Sequence, residues 1–350
     1  MNLRRSDVAR RIDVAIRGLT PGYFALVMAT GIVSVGMLTN GWYLISALLL
    51  TVAVVAYLSL IGLNLVRLSR HRSAMAEDFA DPARAFGFFT FVAATSVLGS
   101  RLSQSGFHFI SLVLLLVATV AWVVLGYTIP WTAVLGERKT VPLSTANGTW
   151  FIWAVASQSI AVLAATLEVE LEAWRQWMAL LAVFSWSVGV FLYGAVGVFV
   201  AIRMLAFPFR PSDLTPPYWV AMGATAITVV SSARIVDMAS APMVDATRGL
   251  IAGTAVFFWA FGTWLIPPLL LAGLWRHVLH RIPLRYEATL WSIVFPLGMY
   301  GVGAQFLGDV DRLPIVHAIG YAESWVALAA WLTTFVAMLI TIGRTLRRSA

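Results

Sequence analysis

Charged residues divide this 350-residue chain into long apolar runs. No charge occurs from residue 18 to 66, a stretch of 49 positions. That is enough for two membrane-spanning helices of about 20 residues each, with Thr39-Asn40-Gly41 between them as a tight turn. Further uncharged runs cover 102–136, 140–167, 176–202, 214–233, 250–275, 288–308 and 324–343. The pattern predicts ten spans at 21–38, 42–66, 84–101, 107–130, 148–165, 176–203, 217–236, 248–275, 288–307 and 315–342. Short connections between odd and even spans predict five helical hairpins. The expected fold class is an all-α integral membrane protein whose odd-numbered helices line a central pore. Its domain is 21–343, with cytoplasmic segments at 1–20 and 344–350.

The odd spans repeat one another. Tyr23-Phe24 precedes Ala29-Thr30-Gly31, Phe88-Phe89 precedes Ala94-Thr95-Ser96, Trp150-Phe151 precedes Ala156-Ser157-Gln158, and Tyr218-Trp219 precedes Ala224-Thr225-Ala226, always at one spacing. The fifth keeps Trp291 and Gly298 but inserts Phe295-Pro296. The leading aromatic and the hydroxyl are seven residues apart and so share a helix face. Small residues beside them permit close helix approach. An inner ring of five such helices would carry a weakly polar, uncharged lining: Thr30, Ser34, Thr95, Ser96, Ser157, Gln158, Ser159, Thr225, Thr228 and Gly298. Ordinary interhelical packing, with each hydroxyl bonded to its own helix, is the competing explanation for any one of them. The even spans, rich in Leu, Val, Ala and Trp, suit lipid.

Composition agrees with a bilayer setting: 60% of residues are hydrophobic and 11% charged, where a soluble domain carries about 25% charged. The net charge of +8 would suggest nucleic acid if it were clustered. Instead, 19 of the 24 Lys and Arg fall on one side of the ten spans and five on the other, which is a positive-inside pattern with both termini cytoplasmic. Thr20-Pro21 reads as an N-cap with a first-turn proline, and 8–19 reads as an interfacial helix or a disordered tail. No cleavable signal peptide is evident. Cysteine is absent, which removes disulfides, thiolate metal sites and cysteine nucleophiles. No protease, hydrolase or nucleotide-binding motif occurs in a suitable context, and no cofactor or metal is expected. His71, His108 and His317 stand apart in sequence, His277 and His280 lack a carboxylate cluster, and Pro267-Pro268 predicts a kink in the eighth span. Arg234 and Asp237, one turn apart, are placed to pair. Arg101, Arg234 and Arg312 fall on the outer side, where they would attract anions.

The stretch PGYFALVMATGIVSVG at 21–36 resembles the opening helix of the tellurite-resistance/dicarboxylate transporter family, which includes fungal malate permeases, yeast sulfite exporters and plant slow anion channels. RAFGFFTFVAATSVLGSRL at 84–102 and WSIVFPLGMYGVGA at 291–304 are also similar to it. The resemblance covers about 18–345. It implies five hairpins around an uncharged pore, a homotrimer in the plasma membrane, and a plug formed by Phe295, which the adjacent Pro296 would help to aim inward. The fifth span departs from the family pattern at Trp153 and Gln158, which bears on substrate. The expected function is passage of small anions: malate-like dicarboxylates, sulfite or other inorganic anions. A proton-coupled carrier is the alternative, and a membrane enzyme or structural subunit a more distant one. Without a thiol or cofactor to reduce an oxyanion, any tellurite resistance would be indirect.

Overall fold

The computed structural model describes residues 2–135 and 142–347, with side chains over 10–132 and 143–345. Arg138, Lys139 and Arg348, three of the 19 inner cations, lie outside the described residues. Among those described there are only helices and turns. Ten helices are long and apolar enough to cross a membrane: α1 Pro21–Thr39, α2 Tyr43–Arg70, α3 Pro82–Ser103, α4 His108–Thr132, α5 Gly148–Glu168, α6 Glu172–Ala206, α7 Pro216–Asp237, α8 Pro242–Leu279, α9 Ala288–Val310 and α10 Pro314–Thr345. Ahead of them, Asn2–Arg17 is helical rather than a disordered tail. Gly41 adopts φ +79° in the turn between α1 and α2, a left-handed conformation natural to glycine.

Burial separates the helices into two classes. In the odd helices 78–83% of the span is buried; in the even helices it is 17–28%. The buried helices are also the less hydrophobic ones. That order is natural in lipid, where the outer surface must be the most apolar and the interior needs small residues for close packing. Each odd helix packs along the even helix that follows it. The odd helices also touch one another in the cyclic order α1, α3, α5, α7, α9 and back to α1.

A belt of hydrogen bonds links each even helix to the next odd one. Tyr57 of α2 joins Thr95 of α3 (2.8 Å), Trp122 of α4 donates to Ser157 of α5 (2.8 Å), and Trp186 of α6 donates to Ser232 of α7 (2.8 Å). Thr263 of α8 joins Tyr300 of α9 (2.8 Å), and Trp331 of α10 donates to Thr30 of α1 (2.9 Å), which closes the circle. Each odd helix carries a 3-10 turn near its start: Pro21–Phe24, Phe86–Phe88 (after one α-turn, Pro82–Ala85), Gly148–Trp150, Pro216–Trp219 and Ala288–Leu290. These turns touch in the same cyclic order. The contact is tightest at Gly148, where a Cβ would overlap the Pro217 carbonyl and the Tyr218 nitrogen.

Several local details are visible only in the structure. Thr20 precedes Pro21 in extended conformation, but its side chain makes no capping bond. α8 continues through Pro267 and Pro268 to Leu274 and ends in a π turn, Trp275–Leu279. An additional helix, Arg72–Ala80, follows α2. It carries Asp78, whose buried carboxylate pairs with buried Arg67 (2.6 Å) and with Arg84 (3.0 Å). Three histidines that are isolated in sequence face carboxylates: His71 Asp13 (3.0 Å), His108 Glu170 (3.6 Å) and His317 Asp309 (3.5 Å).

Candidate functional site

All five inner helices contribute to one central cavity. α1 supplies Ile32 and Val35, α3 Val97, Ser100 and Gln104, and α5 Ser159, Val162 and Thr166. α7 supplies Ile227, Val230 and Arg234, and α9 Met299, Val302 and Phe306. Counted from the repeated hydroxyl positions 30, 95, 157 and 225, lining residues fall at +2, +5 and +9. The fifth repeat obeys the same register from Leu297. At about 100° per residue these positions lie about 140–200° around the helix from the hydroxyl. The cavity and the hydroxyls therefore occupy opposite faces.

The hydroxyls singled out in the sequence are buried but turned toward neighbouring helices. Thr30, Thr95 and Ser157 donate to their own helix (at 2.7, 2.7 and 3.2 Å) and meet the aromatic belt on their outer side. Thr225 donates to Met222 (2.6 Å) and abuts Gly262 of α8, where a Cβ would lie 2.5 Å from its oxygen. Thr228 donates to Ala224 (2.8 Å). Gln158 donates to the Trp186 carbonyl (3.1 Å) and accepts from Ser231 (2.7 Å), locking α5 to α6 and α7. Ser96 is buried without a partner. Gly298 lets α9 approach α1, since a Cβ there would lie 2.9 Å from Ile32. Of the lining expected from the sequence, Ser159 alone borders the cavity. Periodicity marks which face is special, but not whether that face meets a void or a neighbour.

The cavity measures about 20 Å³, room for one or two waters. Phe295 stands at −2 in the same register, equivalent to Met28, Ala93, Val155 and Gly223, on the axial face. It is 1% exposed. Its ring reaches toward α7, where a Cβ on Gly223 would lie 3.4 Å from Cε1 of Phe295 and 2.8 Å from Cγ of Pro296. The missing side chain at 223 makes space for this pair. Beyond it, toward the N-terminal ends of the helices, lies the ring of 3-10 turns. There Tyr23 and Tyr286 share a hydrogen bond of 3.0 Å, and burial raises the pKa of the Tyr286 phenol above its ordinary value, which keeps it neutral.

The three outer arginines part company. Arg101 is buried and bonds to Ser34 (2.9 Å), Ser46 (2.8 Å) and Ser105 (2.6 Å), which draws Ser34 into an α1–α2–α3 junction. Arg312 is exposed in the turn after α9, with φ +54°. Arg234 borders the cavity. It forms no ion pair with Asp237; its guanidinium lies 4.2 Å over the Phe306 ring. Phe306 and Gln104, both on the cavity wall, were not read from the sequence, although the +9 register locates them. No group of side chains that could hold a metal ion occurs among the described residues.

Residues 18–339 match the family described as SLAC1, voltage-dependent anion channel. An uncharacterized membrane protein of Mycobacterium tuberculosis is 66% identical over 160 residues, which is 46% of this chain and 81% of that relative. Two uncharacterized transporters of Methanocaldococcus jannaschii are 22% and 23% identical, over 93% and 92% of this chain and 94% of each relative.

Proposed function

Because the chain belongs to the SLAC1 voltage-dependent anion channel family, we propose that it passes small anions across the cell membrane along the axis of its inner helix ring. The observation that carries this reading is the central cavity, to which all five odd helices contribute in one register. Its walls are mostly apolar. Weak binding of this kind lets an anion enter and leave, as conduction requires. The cavity is too narrow for a multi-atom anion, so the described conformation is closed. Phe295 is the gate: its ring fills the axial layer next to the cavity against Gly223. The candidate substrates are small inorganic anions such as sulfite, and dicarboxylates such as malate. The inner side is cytoplasmic by the distribution of arginine, and the assembly is a homotrimer with one path per subunit, as the family resemblance implies.

Phe295→Ala tests the gate. In liposomes the variant should carry more chloride and nitrate than the parent. A ring that merely fills core space would show only the cost of its deletion, about 3–5 kcal/mol of stability. Unchanged flux from folded protein overturns the gate. An imposed proton gradient separates the alternative: current that follows the anion gradient alone marks a channel, and uptake driven by the pH difference marks a coupled carrier.

A further inference from the structure

Arg234 is the single charged side chain on the cavity wall, and it is poorly satisfied. Its Nε is buried without a hydrogen-bond partner. The guanidinium rests on the face of Phe306, and Asp237, exposed one turn on, lies beyond ion-pair distance and acts on it only as a more distant favourable charge. Arg67 and Arg276 also each bury one unpartnered nitrogen, but each has other strong partners, Asp78 for Arg67 and the carbonyls of Ser212 (2.9 Å) and Leu214 (2.8 Å) for Arg276, and Arg101 has three serine hydroxyls, whereas among the described residues no hydrogen bond or ion pair is formed by the half-buried Arg234. A guanidinium keeps its charge, and a desolvated charge without compensation is costly.

The neighbouring polar groups leave the same gap. The Ser100, Ser159 and Thr166 hydroxyls each give their proton to their own helix backbone, to Ser96 (3.0 Å), Ala156 (2.7 Å) and Val162 (2.7 Å). They therefore offer no donor to the cavity. The Gln104 side-chain oxygen is buried and unpartnered, and a half-turn of that carboxamide presents two donors in its place. An unused cationic donor and an unused amide on facing walls describe a site whose guest is negatively charged.

Building on the anion-path reading, we propose that Arg234 is the anion-binding residue of the central cavity, with the Gln104 amide beside it, and that Phe306 holds the guanidinium in reserve while the site is empty. One guanidinium in an apolar, narrow space balances one negative charge. A dianion would retain a second, uncompensated charge. The fitting guest is a small monovalent anion, which within the proposed substrates favours inorganic monoanions such as hydrogensulfite over malate-like dianions.

The test uses full-length protein and chloride, with sulfate as the divalent control. In detergent, chloride should raise the melting temperature of the parent by binding the folded state, sulfate should do so less, and Arg234→Gln should lose the effect while Arg234→Lys keeps part of it. In planar bilayers, with Phe295→Ala to open the path, Arg234→Gln should raise half-saturating chloride about tenfold, as expected for one lost charge-assisted hydrogen bond, and should reduce selectivity for anions over cations. Phe306→Leu should lower half-saturating chloride by freeing the guanidinium. Current in which Arg234→Gln leaves saturation and selectivity unchanged overturns the site alone, as does chloride stabilisation that survives in that variant. An unmoved Phe306→Leu overturns the reserve position. Absence of current from Phe295→Ala, with chloride stabilisation intact, overturns the path and leaves the binding site standing.

Discussion

A hydroxyl inside a membrane protein has two ways of being satisfied, through its own backbone or through a neighbour, and here the repeated hydroxyls use both. Ser157 donates to Trp153 and accepts from the Trp122 indole. Trp122→Phe should therefore cost about 0.6–1.7 kcal/mol for the lost interhelical bond, read as a lower melting temperature in detergent. Gly148 is a sharper case, because the space for its Cβ is already taken by the Pro217 carbonyl. Gly148→Ala should destabilise by about 1–3 kcal/mol as the ring of turns shifts, and unfolding in detergent measures it. The sequence identified the repeated hydroxyls and their common spacing. It did not identify their direction, because a face seven residues long looks the same whether it meets an indole or a void. Arg234 shows the converse: it was legible as an outer arginine, but its separation from Asp237 beyond ion-pair distance depends on where the α7 terminus places both side chains.

At the scale of elements, the four aromatic-led starts and the start of the fifth odd helix became five 3-10 turns in mutual contact. Proline or aromatic residues at four of these starts were visible in sequence, whereas the mutual contact of all five turns was not. The helix Arg72–Ala80 was missed because nine residues with three charges among them are too short and too charged to carry a span signal. Its role is electrostatic: Asp78 links α2 through Arg67 and α3 through Arg84, while Arg67 also donates to the Arg17 carbonyl (3.2 Å). Asp78→Asn leaves Arg67 buried without its counter-charge and should cost about 3–5 kcal/mol. Thermal unfolding of the variant measures this, and a loss under 1 kcal/mol would show the pair to be solvated.

The whole molecule is an inner ring of small-residue helices inside a sleeve of strongly apolar ones, the reverse of the order in a soluble bundle. The orientation that arginine placement predicts can be checked directly, since the chain has no cysteine. Ser73→Cys and Ala239→Cys, both at exposed positions, lie on opposite sides of the ten spans. A membrane-impermeant thiol reagent applied to intact cells should label Ala239→Cys and spare Ser73→Cys. The opposite pattern would invert the orientation, and with it the side from which Arg234 is reached.

Sequence by itself determined the number of spans, their approximate ends, the two classes of helix and the positive-inside bias. Each of these depends on the transfer of side chains between water and lipid, which is a local property of composition. Tertiary structure decided which face of each inner helix meets the central cavity, that Arg234 lies over Phe306 and outside an ion pair, and that the cavity measures only about 20 Å³. Those outcomes depend on rotations of whole helices, set by close packing among residues far apart in the chain, and no window of sequence contains them.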